Sequence, residues 1–282
     1  MTPWNQVTII GTGLIGGSLG LALKQAGAAR RVVGVGHRQS TLDQALACGA
    51  ADAVTLDPAE GVRGSDLVVL ATAVGLFEPL LVQAASDLAE EAVVIDVGST
   101  KAEICRTLPP LLPAGRVFIG CHPIAGSEKR GVDFAYSDLF AGATCVVTPA
   151  ADAPPDAVAR VIATWETVGM QVVQMDPASH DRLLAQVSHL PHAAAAALAL
   201  TVSPEAERLT GTGWADVTRV ASGDPVLWRD ILVTNADGVV EALETFEQRL
   251  GDLREALAAG DTERLQRLLA RAKESRDRIA GP

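Results

Sequence analysis

Val7-Thr8-Ile9-Ile10-Gly11-Thr12-Gly13-Leu14-Ile15-Gly16 decides how the rest of this 282-residue chain is read. The first four residues, all β-branched, make a short buried strand. Gly11 then allows a tight turn, Gly13 lets the backbone approach a pyrophosphate, and Gly16 lets the next helix, Leu14 to Gln25, pack on the strand. That helix start offers unpaired N–H groups and a positive dipole end to phosphates. A glycine-rich turn in an unrelated α/β domain is the plainer reading. Against it, a strand and a helix stand on the required sides of the glycines.

Working outward, Val32 to Val35, Leu67 to Leu70 and Val93 to Val97 read as further buried strands alternating with helices. Such alternation implies a parallel sheet with right-handed crossovers. Val117 to Ile119, Cys145 to Thr148 and Val172 to Met175 extend the sheet, with a helix from Pro155 to Val168 between the last two. After Pro177 the strand signal stops, and from His180 the pattern is helical. Gly260-Asp261-Thr262 reads as a helix stop followed by an N-cap. Leu265, Leu268, Leu269 and Ala272 then share one face. The expected fold is a Rossmann-type α/β domain over residues 1–176 with a mostly parallel sheet, followed by an all-α domain over 177–282. The helical half is rich in Ala and Leu, so it is expected to bury an apolar face in a homodimer. A compact monomer is the plainer alternative.

The end of the second strand bears on the cofactor. An NAD enzyme usually places Asp or Glu there for the ribose 2′-hydroxyl. Here the residues are Gly36-His37-Arg38-Gln39-Ser40-Thr41, with no acid. Arg38, Ser40 and Thr41 suit a 2′-phosphate, and Gly36 removes the group that would repel it. The reading leans to NADP over NAD. Otherwise Arg38 is a solvated loop residue. The expected cofactor residues are Gly11, Gly13, Leu14, Ile15, Gly16, His37, Arg38, Ser40, Thr41, Ala71 and Thr72.

Bulk properties narrow the class. A net charge of −11 argues against a nucleic-acid partner, which requires basic patches. The four cysteines show no C-x-x-C spacing, so neither a metal site nor a disulfide framework is expected, and a reduced cytoplasmic setting fits. No signal-peptide pattern opens the chain. The apolar run Ala193 to Leu200 is too short to span a bilayer.

Three motifs carry the chemistry. Cys121-His122-Pro123-Ile124-Ala125-Gly126-Ser127-Glu128 sets a histidine at a strand's end, where open α/β sheets bind ligands. Ser188-His189-Leu190-Pro191-His192 sets two histidines around a proline, and Asp216-Val217-Thr218-Arg219 stands further on. No carboxylate or cysteine supports the histidine pair at metal-ligand spacing, so no metal is expected. With the glycine loop, these motifs suggest a nicotinamide-dependent dehydrogenase acting on a small carboxylated substrate.

These motifs, together with Gly17-Ser18 and Asp96-Val97-Gly98-Ser99-Thr100-Lys101, resemble the prephenate/arogenate dehydrogenase family of tyrosine biosynthesis over nearly the whole chain. The resemblance implies oxidative decarboxylation of prephenate to 4-hydroxyphenylpyruvate, or of arogenate to tyrosine. Hydride passes to the nicotinamide, the ring carboxylate leaves as carbon dioxide and the ring aromatises. It implies His122 as the catalytic acceptor of the hydroxyl proton, Ser99 as the residue orienting it, and Arg219 as the grip on a substrate carboxylate. Ser127, Glu128, His189, His192 and Trp228 are implied on the substrate side, with His192 helping a carboxylate when protonated. His180 and Asp181 match a family pair read as structural.

Plainer readings stand beside these. Ser99 is then an N-cap for the helix beginning at Lys101, Arg219 an ion-pair partner of Asp216, the histidine pair a capped helix start, and Trp228 core. Two departures from the family pattern stand out, Ala215 for an arginine and Gly36 for an acid. Neither the regulatory nor the mutase domain of some relatives is expected after Pro282. A β-hydroxyacid or imine reductase is disfavoured because residues 180–219 contain no lysine. A catalytically silent dinucleotide sensor has no need to keep His122, Ser99 and Arg219 together. Prephenate is weakly preferred over arogenate, on the positive potential of a protonated His192.

Overall fold

The computed structural model describes residues 2–126 and 129–280. They form two compact units, 1–235 and 236–282. Unit one runs β1 (Val7–Ile10), α1 (Leu14–Gln25), β2 (Val32–Val35), α2 (Gln39–Ala47), β3 (Ala53–Thr55), α3 (Pro58–Val62) and β4 (Leu67–Leu70). It continues through α4 (Phe77–Ala84), β5 (Val93–Asp96), α5 (Ala102–Thr107), β6 (Val117–Pro123), β7 (Thr144–Thr148), α6 (Pro155–Thr167) and β8 (Gln171–Gln174). Helices α7 (Pro177–Leu184), α8 (Leu190–Ala199), α9 (Pro204–Glu207), α10 (Thr212–Thr218) and α11 (Pro225–Thr234) complete it.

The eight strands lie in the order β3-β2-β1-β4-β5-β6-β7-β8. Every pairing is parallel except β6 with β7, which is antiparallel, with His122 opposite Val146. The order reverses between β1 and β4, which opens a crevice at their carboxyl ends. Strands β1, β4 and β5 are buried on both faces. Val7, Ile9, Leu67, Val69, Val93 and Ile95 share one core with α1 and α6, including Leu19, Leu23, Val161 and Trp165. Ile10, Val68, Leu70 and Val94 join the opposite core with Phe77, Leu81 and Ile104 of α4 and α5. This doubly covered sheet explains the unbroken aliphatic runs.

Apart from one-residue shifts at the ends of β5, β7 and β8, the strands differ from the sequence reading in three places. β3 is a three-residue strand of half-buried residues, too short and too weakly patterned to stand out. β6 runs four residues beyond Ile119, because Gly120 to Pro123 pair with β7. His122 therefore sits within a ladder rather than after one. The β6–β7 connection carries no crossover α-helix, and the strands meet antiparallel. The boundary expected at 176 falls where the sheet gives way to helices, whereas by compactness unit one continues to Asn235.

Unit two is a helical hairpin of α12 (Ala236–Ala258) and α13 (Thr262–Ala280). Gly260, with φ +64°, ends the first helix. The Asp261 carboxylate accepts from Arg264 N at 2.8 Å and so caps the second. Leu250, Leu257, Leu269 and Ile279 stay exposed on this hairpin. No helix among the described residues is long and apolar enough to cross a membrane.

Candidate active site

The carboxyl ends of β1, β4, β5 and β6 bring together Gly11, Ala71, the segment Val97 to Thr100, and His122. Gly11 has φ +110°, and a Cβ there would lie 2.5 Å from the Ala71 oxygen and 2.9 Å from Thr72 Cγ2. A Cβ on Gly16 would lie 2.0 Å from the Gly11 oxygen, so only glycine lets α1 approach this closely. Gly13 faces open space, and no side chain caps the α1 N-terminus. The free N–H groups and the open face at Gly13 fit a dinucleotide pyrophosphate. At the end of β2, His37, Arg38 and Ser40 are exposed and Thr41 is half-buried. A Cβ on Gly36 would meet Leu42 Cδ2 at 3.0 Å, so the place of the usual acid is crowded as well as empty of charge.

His122 is buried, and its surroundings define its protonation. Asp181 Oδ1 accepts from His180 Nδ1 at 2.7 Å. A carboxylate requires a donor there, so His180 carries its proton on Nδ1 and presents a bare Nε2. That nitrogen lies 2.8 Å from His122 Nδ1, which must therefore donate. The lone pair of His122 is left on Nε2, as a base requires. Burial, with the Lys101 cation and the neighbouring His180 and His189, holds the His122 pKa well below the usual histidine value, so the ring is neutral near pH 7. Lys101 is itself fully buried and paired with Asp96, whose carboxylate also accepts from Gly98 N at 2.7 Å and Cys121 N at 3.0 Å.

Asp181 has a second task. Its two oxygens accept from Lys101 N at 2.7 Å and Ala102 N at 2.8 Å, which caps α5. The plainer reading of Ser99, as the cap of this helix, does not hold. Ser99 is half-buried between β5 and Lys101, and the cap comes from α7.

The second histidine motif is not a capped helix start. The chain stays helical from Pro177 to Ala199 and widens into a π-turn over Ala185–His189. Pro191 has no N–H to bond the carbonyl four residues back, and the wider turn absorbs the loss. His189 is 1% exposed. His192 stacks on Trp228, with centroids 3.6 Å apart and planes 10° from parallel, and His189 meets the same indole edge-on at 6.4 Å. Trp228 is thus a wall shared by both histidines. Burial lowers the pKa of His192, against an opposing pull from the Val220 backbone, and holds His189 at about 4. The protonated form of His192, in which it would help a carboxylate, is disfavoured, which removes that argument for prephenate.

Arg219 opens the 3₁₀ turn Arg219–Ser222 after α10, and this turn packs on α8. Its side chain is exposed and makes no ion pair with Asp216 among the described residues. Ser127 and Glu128 lie outside the described residues. Further along that loop Arg130 meets Asp224, whose other oxygen caps α11 by accepting from Val226 N and Leu227 N. Among the described residues no group of histidines, cysteines and carboxylates is placed to hold a metal ion.

Comparison with known proteins assigns the chain to a family. The prephenate dehydrogenase nucleotide-binding domain model matches residues 19–174, and the dimerization domain model of the same family matches 176–271. The chain belongs to the prephenate dehydrogenase family. The first match begins after the glycine loop, so the two are separate pieces of support. Prephenate dehydrogenase of Bacillus subtilis is 32% identical over 96% of this chain and 75% of its own length. Cyclohexadienyl dehydrogenase of Zymomonas mobilis is 34% identical over 93% and 91%. A crystal structure of Aquifex aeolicus prephenate dehydrogenase with hydroxyphenyl propionate and NAD+ superposes with a TM-score of 0.91, at 33% identity, covering 98% of each chain.

Sequence reasoning placed His180 and Asp181 in a structural role and passed over Asn235. The first two are the hydrogen-bond chain behind His122. An adjacent His-Asp pair was the available signal, but nothing local says that it meets a residue 58 positions earlier.

Proposed function

We propose that this protein is a prephenate dehydrogenase, converting prephenate to 4-hydroxyphenylpyruvate and carbon dioxide with hydride transfer to NAD(P)+. The observation that carries the reading is the Asp181–His180–His122 chain, which leaves a neutral base at the carboxyl edge of a dinucleotide-type sheet. Bound nicotinamide supplies the hydride acceptor. His122 Nε2 holds the substrate hydroxyl proton while hydride leaves the carbinol carbon. It returns that proton to the phenol oxygen once the ring carboxylate has departed. Aromatisation makes the step effectively irreversible. The developing imidazolium is stabilised through His180 by the Asp181 carboxylate.

In this reading Ser99 orients the base and the hydroxyl, Arg219 binds a substrate carboxylate, and Ser127 and Glu128 belong to the pocket. His189 and His192 with Trp228 form the substrate wall, as neutral rings. Gly11, Gly13, Leu14, Ile15 and Gly16 cradle the pyrophosphate, with Ala71 and Thr72 beside them. His37, Arg38, Ser40 and Thr41 receive the adenosine end, and the exposed Arg38 with the crowded Gly36 supports NADP over NAD. The exposed leucines of α12 and α13 support a homodimer built on the region after Pro177, and cysteines without C-x-x-C spacing support a reduced, cytoplasmic setting. Arogenate is the second substrate to test, because the Zymomonas mobilis relative is named a cyclohexadienyl rather than a prephenate dehydrogenase. Steady-state turnover of prephenate and arogenate, each with NAD+ and NADP+, tests the reading. Prephenate with NADP+ is expected to give the highest kcat/KM, and turnover of neither substrate would refute it.

A further inference from the structure

Asn235 lies at the C-terminal end of α11 and is 7% exposed. Its amide nitrogen is 2.7 Å from the Asp181 backbone oxygen and 3.0 Å from His189 Nδ1. A carbonyl oxygen only accepts, so the nitrogen end of the amide must face Asp181. The second amide hydrogen then points at His189 Nδ1, which must accept it. A neutral imidazole has one donor and one acceptor nitrogen, so the His189 proton is on Nε2. That Nε2 is shut off from solvent and has no hydrogen-bond partner among the described residues. Buried donors of this kind are rare because they lose their water without replacing it. Thr12 Oγ1, Arg116 Nε, Trp165 Nε1 and His192 Nδ1 share this state among the described residues, and of the five the His189 and His192 atoms belong to rings that meet Trp228. Trp228 edges this ring and stacks on His192, which puts the orphan donor beside the substrate wall.

We propose that Asn235 is a positioning residue that holds His189 with its proton on Nε2, as a neutral donor to an acceptor oxygen of the substrate. The proposal rests on the dehydrogenase reading for the identity of that substrate, but not for the position of the proton. Burial of the ring, with His180 adding to it, outweighs the opposing pull of the Asp181 carboxylate and keeps His189 neutral near pH 7; Asp181 and His180 are the titratable groups that face it. Thr234, the preceding residue, bonds Thr100 at 3.0 Å, so the end of α11 is tied to the segment after β5 as well as to α7.

Long-range proton–nitrogen correlation spectra of the full chain read the tautomer directly, with His189→Gln identifying the signal among five histidines. Wild type is expected to show Nε2–H from about pH 6 to about pH 8.5, unlike an imidazole that titrates at its ordinary value. Saturating hydroxyphenyl propionate with NADP+ should shift that Nε2–H signal. Asn235→Asp replaces the donor by an acceptor, which draws the proton to Nδ1. At alkaline pH this variant should raise KM for prephenate about tenfold, the usual worth of one hydrogen bond to a charged group, with the smaller change in kcat. A packing defect alone would lower stability without moving the proton. Wild type with its proton on Nδ1 would overturn the proposal whatever the activity, and needs no variant to fold. An Nε2–H signal unmoved by saturating ligand would overturn the substrate contact. Failure to turn over prephenate or arogenate with the tautomer intact would instead overturn the functional reading.

Discussion

Asp181→Asn separates the two tasks of this carboxylate. The acid makes three contacts as an acceptor, with Lys101 N, Ala102 N and His180 Nδ1. Lys101 N and His180 Nδ1 share Oδ1, so an asparagine that keeps its oxygen there satisfies both. Its amide group then faces Ala102 N, donor against donor. Stability should fall by about 0.5–2 kcal/mol, the usual cost of losing a helix cap, with the partly buried Ala102 N–H left facing a donor. Each kcal/mol moves Tm by roughly 2–4 °C in a chain of this size. The His180–His122 chain survives, but it ends on a neutral amide. A hydrogen bond to a charged group is worth about 1.5–3 kcal/mol against about 0.5–1.5 for a neutral one. Loss of the difference, about 1.4 kcal/mol, lowers kcat about tenfold. The assay is steady-state reduction of the nicotinamide at saturating prephenate, beside a thermal melt. Unchanged kcat with a lowered Tm would show Asp181 to be a helix cap only, and the chain behind His122 would lose its meaning.

Other consequences are open to direct measurement. Because His122 stays neutral far below the usual histidine pKa, kcat should remain flat as pH falls through about 6.5. A rate that halves near pH 6.5 would contradict its burial. Stability, unlike kcat, should respond over this range. His189 titrates at about 4 in the fold, so below about 6.5 the unfolded chain binds more protons, and melts should drop from there towards pH 4. Arg38→Ala should weaken NADP+ more than NAD+ by about 1.5–3 kcal/mol, read as KM for each cofactor. Equal losses would remove Arg38 from the 2′-phosphate site. Light scattering should report a homodimer at micromolar concentration, and a stable monomer would leave the exposed leucines of α12 and α13 unexplained.

Local sequence carried the sheet and the cofactor loop because both are written in neighbouring residues. β1, α1, β2 and β4 have the bounds that their aliphatic runs and glycines indicate. What escaped was long-range. The extension of β6 through His122 depends on pairing with β7, and the cap of α5 comes from a residue on α7. Pro191 looked like the start of a helix, yet it sits just past a π-turn within one, because the helix already begins at Pro177. The charge of His192, left conditional in the sequence, is decided by burial against Trp228, which a motif does not show. His180 and Asp181 lie side by side in the sequence, but only the fold reveals what they hold.

The most direct test of the central claim is the kinetics of His122→Asn with prephenate against wild type. His122 is proposed to act on a proton that moves only as the chemistry occurs. Its removal should therefore lower kcat by about 10²–10⁴-fold with a smaller change in KM. A variant that keeps near-normal kcat would contradict the account and place the chemistry elsewhere in the molecule.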